Sequence, residues 1–300
     1  MVTIPDGGLI EPLNTNWYYP HVQGIDMLRL DLLHPEVSGN KWFKLKYNIE
    51  QAKQLGHTSI LTFGGAYSNH LAATAAACKH YGMSSIGIVR GKDAEDDLNP
   101  TLRFCVDNGM EIIFVSREEY GLKEDAEWQE KLQQQYNNVF IVPEGGANDW
   151  GRLGATEIAA YIPNGYTHVC VSVGTGTTME GLRNGLTAHI HVLGYAPMKG
   201  GSYLEGEIAS HVNEDKNANW QLFDQWHFGG FGKSNEALIT FMNGFFEQTG
   251  IPLDVVYTAK MMYGLQEQLQ AGFFAADAKI LCVHSGGLQG NASVKQLLTY

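Results

Sequence analysis

Short apolar runs, each closed by glycine or small polar residues and followed by a stretch of helical periodicity, recur along this chain and narrow its fold more than any other feature. Residues 58–63, with Ile60 and Leu61 at their centre, stop at Gly64-Gly65, after which an alanine-rich helix is predicted over 69–81 and a strand over 85–90. The order continues with a helix over 101–108, a strand over 111–115, one long polar-faced helix over 118–136 and a strand over 139–142. Past Gly145-Gly146 it resumes with a helix over 151–160, a strand over 168–173, a helix from Gly176 toward Leu186 and a strand over 190–195. Helices over 203–211, 235–249 and 261–271 and strands over 255–257 and 280–284 complete it. Strands joined through helices pair in parallel and need cover on both faces, so two α/β domains meeting near residues 145–150 are expected. Ligands of such folds gather at the carboxyl ends of strands.

Charge removes several partners. The chain has 20 basic against 32 acidic side chains, a net charge of -12, so nothing surplus is left to neutralise nucleic acid or an anionic membrane. Cys78, Cys105, Cys170 and Cys282 sit in apolar stretches without metal-ligand spacing and read as free buried thiols of a reducing compartment. With no apolar run of membrane length and no leader pattern, the cytoplasm is expected. His189 and His191 share one strand without partner ligands, so no metal is expected. A serine hydrolase elbow is also missing.

Three segments carry chemistry. Lys41, in Ser38-Gly39-Asn40-Lys41-Trp42-Phe43-Lys44, stands at a turn into a helix among aromatic groups, where desolvation favours the neutral amine that attacks an aldehyde; Lys44 follows on the same face and suits a phosphate. Gly64 to Asn69 links a strand to a helix, with two permissive glycines followed by Ser68, Asn69 and His70 where a cap or a ligand contact belongs. The hydrophobic run into Gly174-Thr175-Gly176-Thr177-Thr178 exposes backbone amides and hydroxyls at a helix start and suits an anion. It lacks both the lysine of a P-loop and the third glycine of a dinucleotide fingerprint, leaving a small terminal phosphate as the better fit. An amine, a polar turn and a phosphate nest together point to pyridoxal phosphate rather than to a nucleotide. Polar groups also follow predicted strands at Tyr257-Thr258-Ala259-Lys260 and His284-Ser285-Gly286-Gly287, and the aromatic loop Phe223 to Phe231 could close over a small substrate. The plain readings of these residues are a solvated Lys41, a merely capped helix at Asn69, a core-edge Tyr257, a salt-bridged Lys260 and a capping His284.

With these motifs, and with Pro143-Glu144-Gly145-Gly146, the chain from about Ile25 onward resembles the 1-aminocyclopropane-1-carboxylate deaminase and D-cysteine desulfhydrase family. That family belongs to the tryptophan synthase β-like, fold type II enzymes dependent on pyridoxal phosphate. The resemblance implies two open twisted sheets with helices on both faces and the cofactor between them. Residues 1–41 and 151–300 would form the large cofactor domain and 42–150 a small one. It implies that Lys41 binds the cofactor's aldehyde, that Lys44 and Gly174, Thr175, Gly176, Thr177 and Thr178 hold its phosphate, and that Asn69 lies near its ring hydroxyl. Ser68, helped by Asn69 and His70, would meet the carboxylate of a small amino-acid substrate. Tyr257 would stand beside ring and substrate, Thr258 would face the ring nitrogen, and His284 would join the cofactor site. A homodimer is implied as well.

Two positions separate the members. Cyclopropane deaminases resemble one another in a glutamate after the tyrosine, where this chain has Thr258, and in a second tyrosine where Phe231 aligns here. A hydroxyl supports a protonated ring nitrogen less well than a carboxylate, and phenylalanine offers no acid or nucleophile. Elimination of D-cysteine to sulfide and an aminoacrylate, which hydrolyses to pyruvate and ammonia, is therefore expected over ring opening to 2-oxobutanoate. A cofactor-binding protein without turnover is the alternative of a different class.

Overall fold

A computed structural model describes residues 8–13, 21–37, 39–92 and 98–300; Ser38, of the predicted lysine segment, lies outside them. The chain divides into two compact units, Met1–Asn40 with Ala155–Tyr300, and Lys41–Gly154. The first unit opens with β1 (Ile10–Pro12) and β2 (Gly24–Arg29).

The second unit carries α1 (Asn40–Gln54), β3 (Ser59–Gly65), α2 (Asn69–Tyr81), β4 (Ser84–Arg90), α3 (Pro100–Asp107) and β5 (Met110–Val115). It continues through α4 (Arg117–Tyr120), α5 (Ala126–Gln135) and β6 (Val139–Val142) into α6 (Asp149–Thr156). Its four strands lie in the order β5-β4-β3-β6, all parallel. Buried alanines let α2 lie close to the sheet: every residue from His70 to Cys78 is buried. On one side Leu71, Ala75, Val89 and Leu102 pack together, and on the other Leu61, Phe63, Ile88 and Tyr120 do so. The long helix expected over 118–136 is instead two. Ser116 and Glu119 close α4 with a reciprocal capping box, and the Asp125 carboxylate starts α5 by accepting from the Trp128 amide at 2.9 Å. Competing caps outweighed the polar periodicity that joined them.

The first unit resumes with β7 (His168–Ser172), α7 (Thr177–Gly185), β8 (His191–Tyr195), α8 (Leu204–His211) and β9 (Trp220–Phe223). It ends with α9 (Glu236–Thr249), α10 (Thr258–Gln270) and β10 (Lys279–His284). The sheet order is β1-β2-β10-β7-β8-β9, parallel except for the edge pair β1 and β2. Leu238, Met242, Met261, Met262 and Leu265 of α9 and α10 cover Ile25, Met27, Leu193 and Ile280, and each such side chain contributes roughly 1.5–3 kcal/mol on burial. The periodicity did not predict β2 or β9, and the strand expected over 255–257 is a turn. There the Asp254 carboxylate draws the following backbone amides inward and starts α10, so Val255 and Val256 leave no ladder to pair. The four cysteines are buried and free, and among the described residues no helix is long and apolar enough to cross a membrane.

Candidate active site

In the second unit the predicted amines lie on the first turn of α1. Lys41 is half-buried and Lys44 is buried at 4% exposure. The residues just before them are fixed within the first unit. Gly39 adopts φ +69°, and a Cβ there would stand 1.9 Å from the Ser285 carbonyl oxygen, so only glycine fits. Asn40 donates its backbone amide to that carbonyl at 3.2 Å and its side-chain Nδ2 to Thr178 Oγ1 at 2.8 Å. The residue preceding Lys41 is thus bonded to the last threonine of the predicted phosphate loop. Sequence reasoning missed this role for Asn40, because its partners are 138 residues or more away.

The turn from β3 into α2 brings Ser68, Asn69 and His70 to the carboxyl end of the central strand. Ser68 caps the helix, its hydroxyl accepting from the Leu71 amide at 3.3 Å. Asn69 Oδ1 is buried with no hydrogen-bond partner. The tautomer of His70 follows from its neighbour: Thr62 Oγ1 donates to the Val142 carbonyl at 2.8 Å, so at 2.9 Å it accepts the proton of His70 Nε2. Nδ1 is then a bare lone pair, also buried without a partner. Burial, and next the Lys41 and Lys44 cations, hold the His70 pKa down at about 3, so the ring is neutral at physiological pH. Lys41, Lys44 and His70 are brought together, with Gly146 closing the group: a Cβ on it would lie 3.2 Å from Lys44 Cβ and 3.7 Å from His70 Cε1. As placed, His70 presents an acceptor. A carboxylate needs donors, which Nδ1 in this tautomer does not supply.

In the first unit β7 runs into the glycine-threonine loop and α7. Gly176 has φ +82°, and no side chain caps α7, so its first amides face the loop uncovered. Thr177 and Thr178 are buried, with Thr175 Oγ1 3.0 Å from Thr177 Oγ1. A Cβ on Gly174 would come within 3.4 Å of the Tyr257 ring, and Phe231 meets that ring edge-on at 5.7 Å. Gly174, Tyr257 and Phe231, predicted from three separate segments, therefore share one surface.

Behind Tyr257 stands a polar cluster that sequence reasoning did not find. Asp254 is fully buried; Oδ1 accepts the Val256 and Tyr257 amides at 3.1 and 2.8 Å, and Oδ2 accepts the Thr258 amide at 2.8 Å and the Thr258 hydroxyl at 2.5 Å. The signal was an aspartate just ahead of a helix, masked by the two valines after it. Thr258 spends its proton on Asp254 and accepts the Asp254 amide at 2.9 Å, so it can offer a ligand one lone pair backed by a carboxylate. Lys260, rather than pairing with an acid, donates to the carbonyls of Pro197 at 3.2 Å and of His227 and Gly230 at 2.9 Å, fastening the aromatic loop that ends in Phe231. Burial lowers its pKa to about 8, with Asp254 pulling the other way. His284 is fully buried, with Nε2 at 2.7 Å from the Pro252 carbonyl and Nδ1 accepting the Gly286 amide at 3.2 Å. With both nitrogens engaged, it shapes the turn that receives Gly39 and Asn40.

These residues fit pyridoxal phosphate. In the first unit the uncapped start of α7 suits a phosphate; in the second, taken by itself, Lys41 and Lys44 supply amines for an aldehyde and an anion, and the buried acceptors Asn69 Oδ1 and His70 Nδ1 suit donors of a polar ligand. The comparisons agree. The chain is 28% identical over 280 residues to the D-cysteine desulfhydrase of Yersinia enterocolitica, with 86% of this chain and 85% of that one covered. It is also 28% identical over 295 residues to the mitochondrial bifunctional D-cysteine desulfhydrase/1-aminocyclopropane-1-carboxylate deaminase of Arabidopsis thaliana, covering 87% of this chain and 72% of the relative. The crystal structure of an ACC deaminase homologue superimposes with a TM-score of 0.83 at 26% identity, covering 96% of this chain and 93% of that one. The model of the family described as pyridoxal-phosphate dependent enzyme matches residues 25–286. The family match across residues 25–286, with the fold of that structural neighbour, makes this chain a member of the pyridoxal-phosphate-dependent enzymes of fold type II.

Proposed function

We propose that this enzyme is a lyase that eliminates the β-thiol of D-cysteine, giving sulfide, pyruvate and ammonia. The observation that carries the choice is Phe231, set edge-on to Tyr257 at 5.7 Å: the site offers one phenol where ring opening in the resembling deaminases is served by two.

In this reading Lys41 Nζ holds the cofactor covalently, and Lys44 with Gly174, Thr175, Gly176, Thr177 and Thr178 holds its phosphate. Asn69 meets the ring hydroxyl and Thr258 the ring nitrogen. Pyridoxal phosphate, when bound, supplies an electron sink for the charge that develops at Cα. Ser68 and the first amides of α2 fix the substrate carboxylate, which sets the face of Cα presented to Lys41. The Lys41 amine takes the Cα proton, and thiolate leaves from Cβ. Neutral His70 keeps an acceptor at Nδ1 for a substrate or water proton.

A second reading, opening of 1-aminocyclopropane-1-carboxylate, is favoured by Asp254. Its carboxylate behind the Thr258 hydroxyl narrows the difference from a glutamate at that position. Product analysis separates the two. We expect kcat/KM for D-cysteine to exceed that for the cyclopropane by more than about tenfold, the equivalent of ~1.4 kcal/mol in the barrier, and Phe231→Tyr to narrow the gap. The reverse preference overturns the first reading. Lys41→Ala is expected to lose the visible cofactor band and turnover together; retention of both ends the assignment. The same reading carries a homodimer, open to light scattering, and a cytoplasmic location, open to cell fractionation.

A further inference from the structure

The second unit contains a cavity of about 570 Å³ at the carboxyl ends of β3 and β4, which the proposed chemistry does not use. Its lining includes Gly65, Arg90, Arg117, Tyr120, Lys123 and Glu144. Three cations face one carboxylate in a chain whose net charge is -12. Lys123 is partly neutralised, 3.8 Å from Glu144 and 3.5 Å from Glu124. Arg90 and Arg117 are not: among the described residues neither is in an ion pair. Arg90 leans over the Tyr120 ring at 5.6 Å, and its Nη2 lies 3.8 Å from where a Cβ of Gly65 would be, so the absent side chain leaves the cavity floor open beneath the guanidinium.

Tyr120 lines the same cavity. Its residue is only 4% exposed, and its buried hydroxyl lies beside the Glu144 carboxylate. Burial, then the Glu144 carboxylate, push its pKa well above the ordinary tyrosine range, so it is a proton donor at every physiological pH.

We infer that this cavity is a binding site for a small dianion with carboxylate or phosphate oxygens, held by Arg90 and Arg117 with the Tyr120 hydroxyl. Planar guanidinium groups match such oxygens two at a time, and Lys123 with Glu144 sets the cavity's rim. The β3–α2 turn that carries Ser68 begins at Gly65, so occupancy would bear directly on the substrate turn. The ligand is a free metabolite, since D-cysteine carries no acidic side chain.

The test is calorimetric titration of the holoenzyme at low ionic strength with inorganic phosphate and with succinate, the bound cofactor keeping the glycine-threonine loop filled. Saturable binding is expected, weakened about tenfold or more by Arg90→Gln and by Arg117→Gln, less by Tyr120→Phe, and unchanged by Lys131→Gln on the exposed face of α5. Repeating the titration with saturating D-serine separates the pocket from the substrate position: undiminished binding supports a separate site for a free metabolite, and displacement overturns it. Absence of saturable binding by both probes, or equal loss in Lys131→Gln, overturns the inference. Because binding is read directly, either result stands apart from the D-cysteine assignment, which product analysis decides.

Discussion

The turn that starts α10 and the turn that starts α2 both place a short polar side chain at a helix entrance beside the predicted chemistry, and they end in opposite states. At Asp254 every polar atom in view is matched: four donors converge on one carboxylate, and the Thr258 hydroxyl both gives and receives. At Ser68 the cap is made, but the next two side chains bury acceptors that meet no donor. A saturated cluster spends its interactions on the fold, whereas an unsaturated one bears a cost in the empty protein that a ligand can remove. The comparison marks Asp254 as scaffold and Asn69 Oδ1 as an acceptor the fold leaves unused, although both are polar residues near helix starts.

That difference can be broken experimentally. Asp254→Ala leaves three amides and a hydroxyl without an acceptor, and a loss of roughly 3–5 kcal/mol in urea unfolding is expected; a loss under ~1 kcal/mol would show that the cluster is not scaffold. Lys260→Met strips three carbonyls of their donor and should cost about 1–3 kcal/mol near neutral pH. Its pH signature is specific. The folded-state pKa of about 8 lies below the ordinary 10.5, so between those values the unfolded chain binds more protons and stability rises with pH, a gain lost again as pH falls. The wild type should show that rise relative to Lys260→Met, and parallel curves would remove the buried ammonium from the account. Ser68→Ala is expected to lose about 1 kcal/mol as a cap and to raise KM; a change in only one of the two would separate cap from carboxylate ligand. Asn69→Leu should be the mildest for folding, within roughly 0.5 kcal/mol in the cofactor-free protein, while weakening cofactor retention. If it instead destabilises the empty protein as much as Asp254→Ala, the contrast between the two turns fails.

Much of the fold could be read directly. Alternating apolar and helical stretches gave the parallel sheets, because strand burial on two faces writes itself as a continuous apolar run. The elements that escaped were those governed by a distant or competing group. β2 pairs β10 from the other end of the chain, the 118–136 helix is divided by Asp125, and Val255-Val256 is folded into a turn by Asp254. Lys41, Ser68, Asn69 and the glycine-threonine loop stand out in the sequence as candidates, since each sits at a strand or helix end whose composition announces it. The hydrogen bonds of His70 and His284 could not be read there, because a histidine's part depends on which ring nitrogen is already bonded.

By itself the sequence determined the layered α/β architecture and pointed to the lysine, glycine and threonine segments as candidates for a phosphate-bearing aldehyde, since these depend on local periodicity and on residue chemistry. Only the tertiary structure decided which buried polar groups are satisfied. It bonded Asn40 to Thr178, matched Asp254 to Thr258, tied Lys260 to three carbonyls, and left Asn69 Oδ1 and His70 Nδ1 without partners. A hydrogen bond exists or fails over a few tenths of an ångström, and residues far apart in the chain acquire that precision only once the sheets and helices have packed.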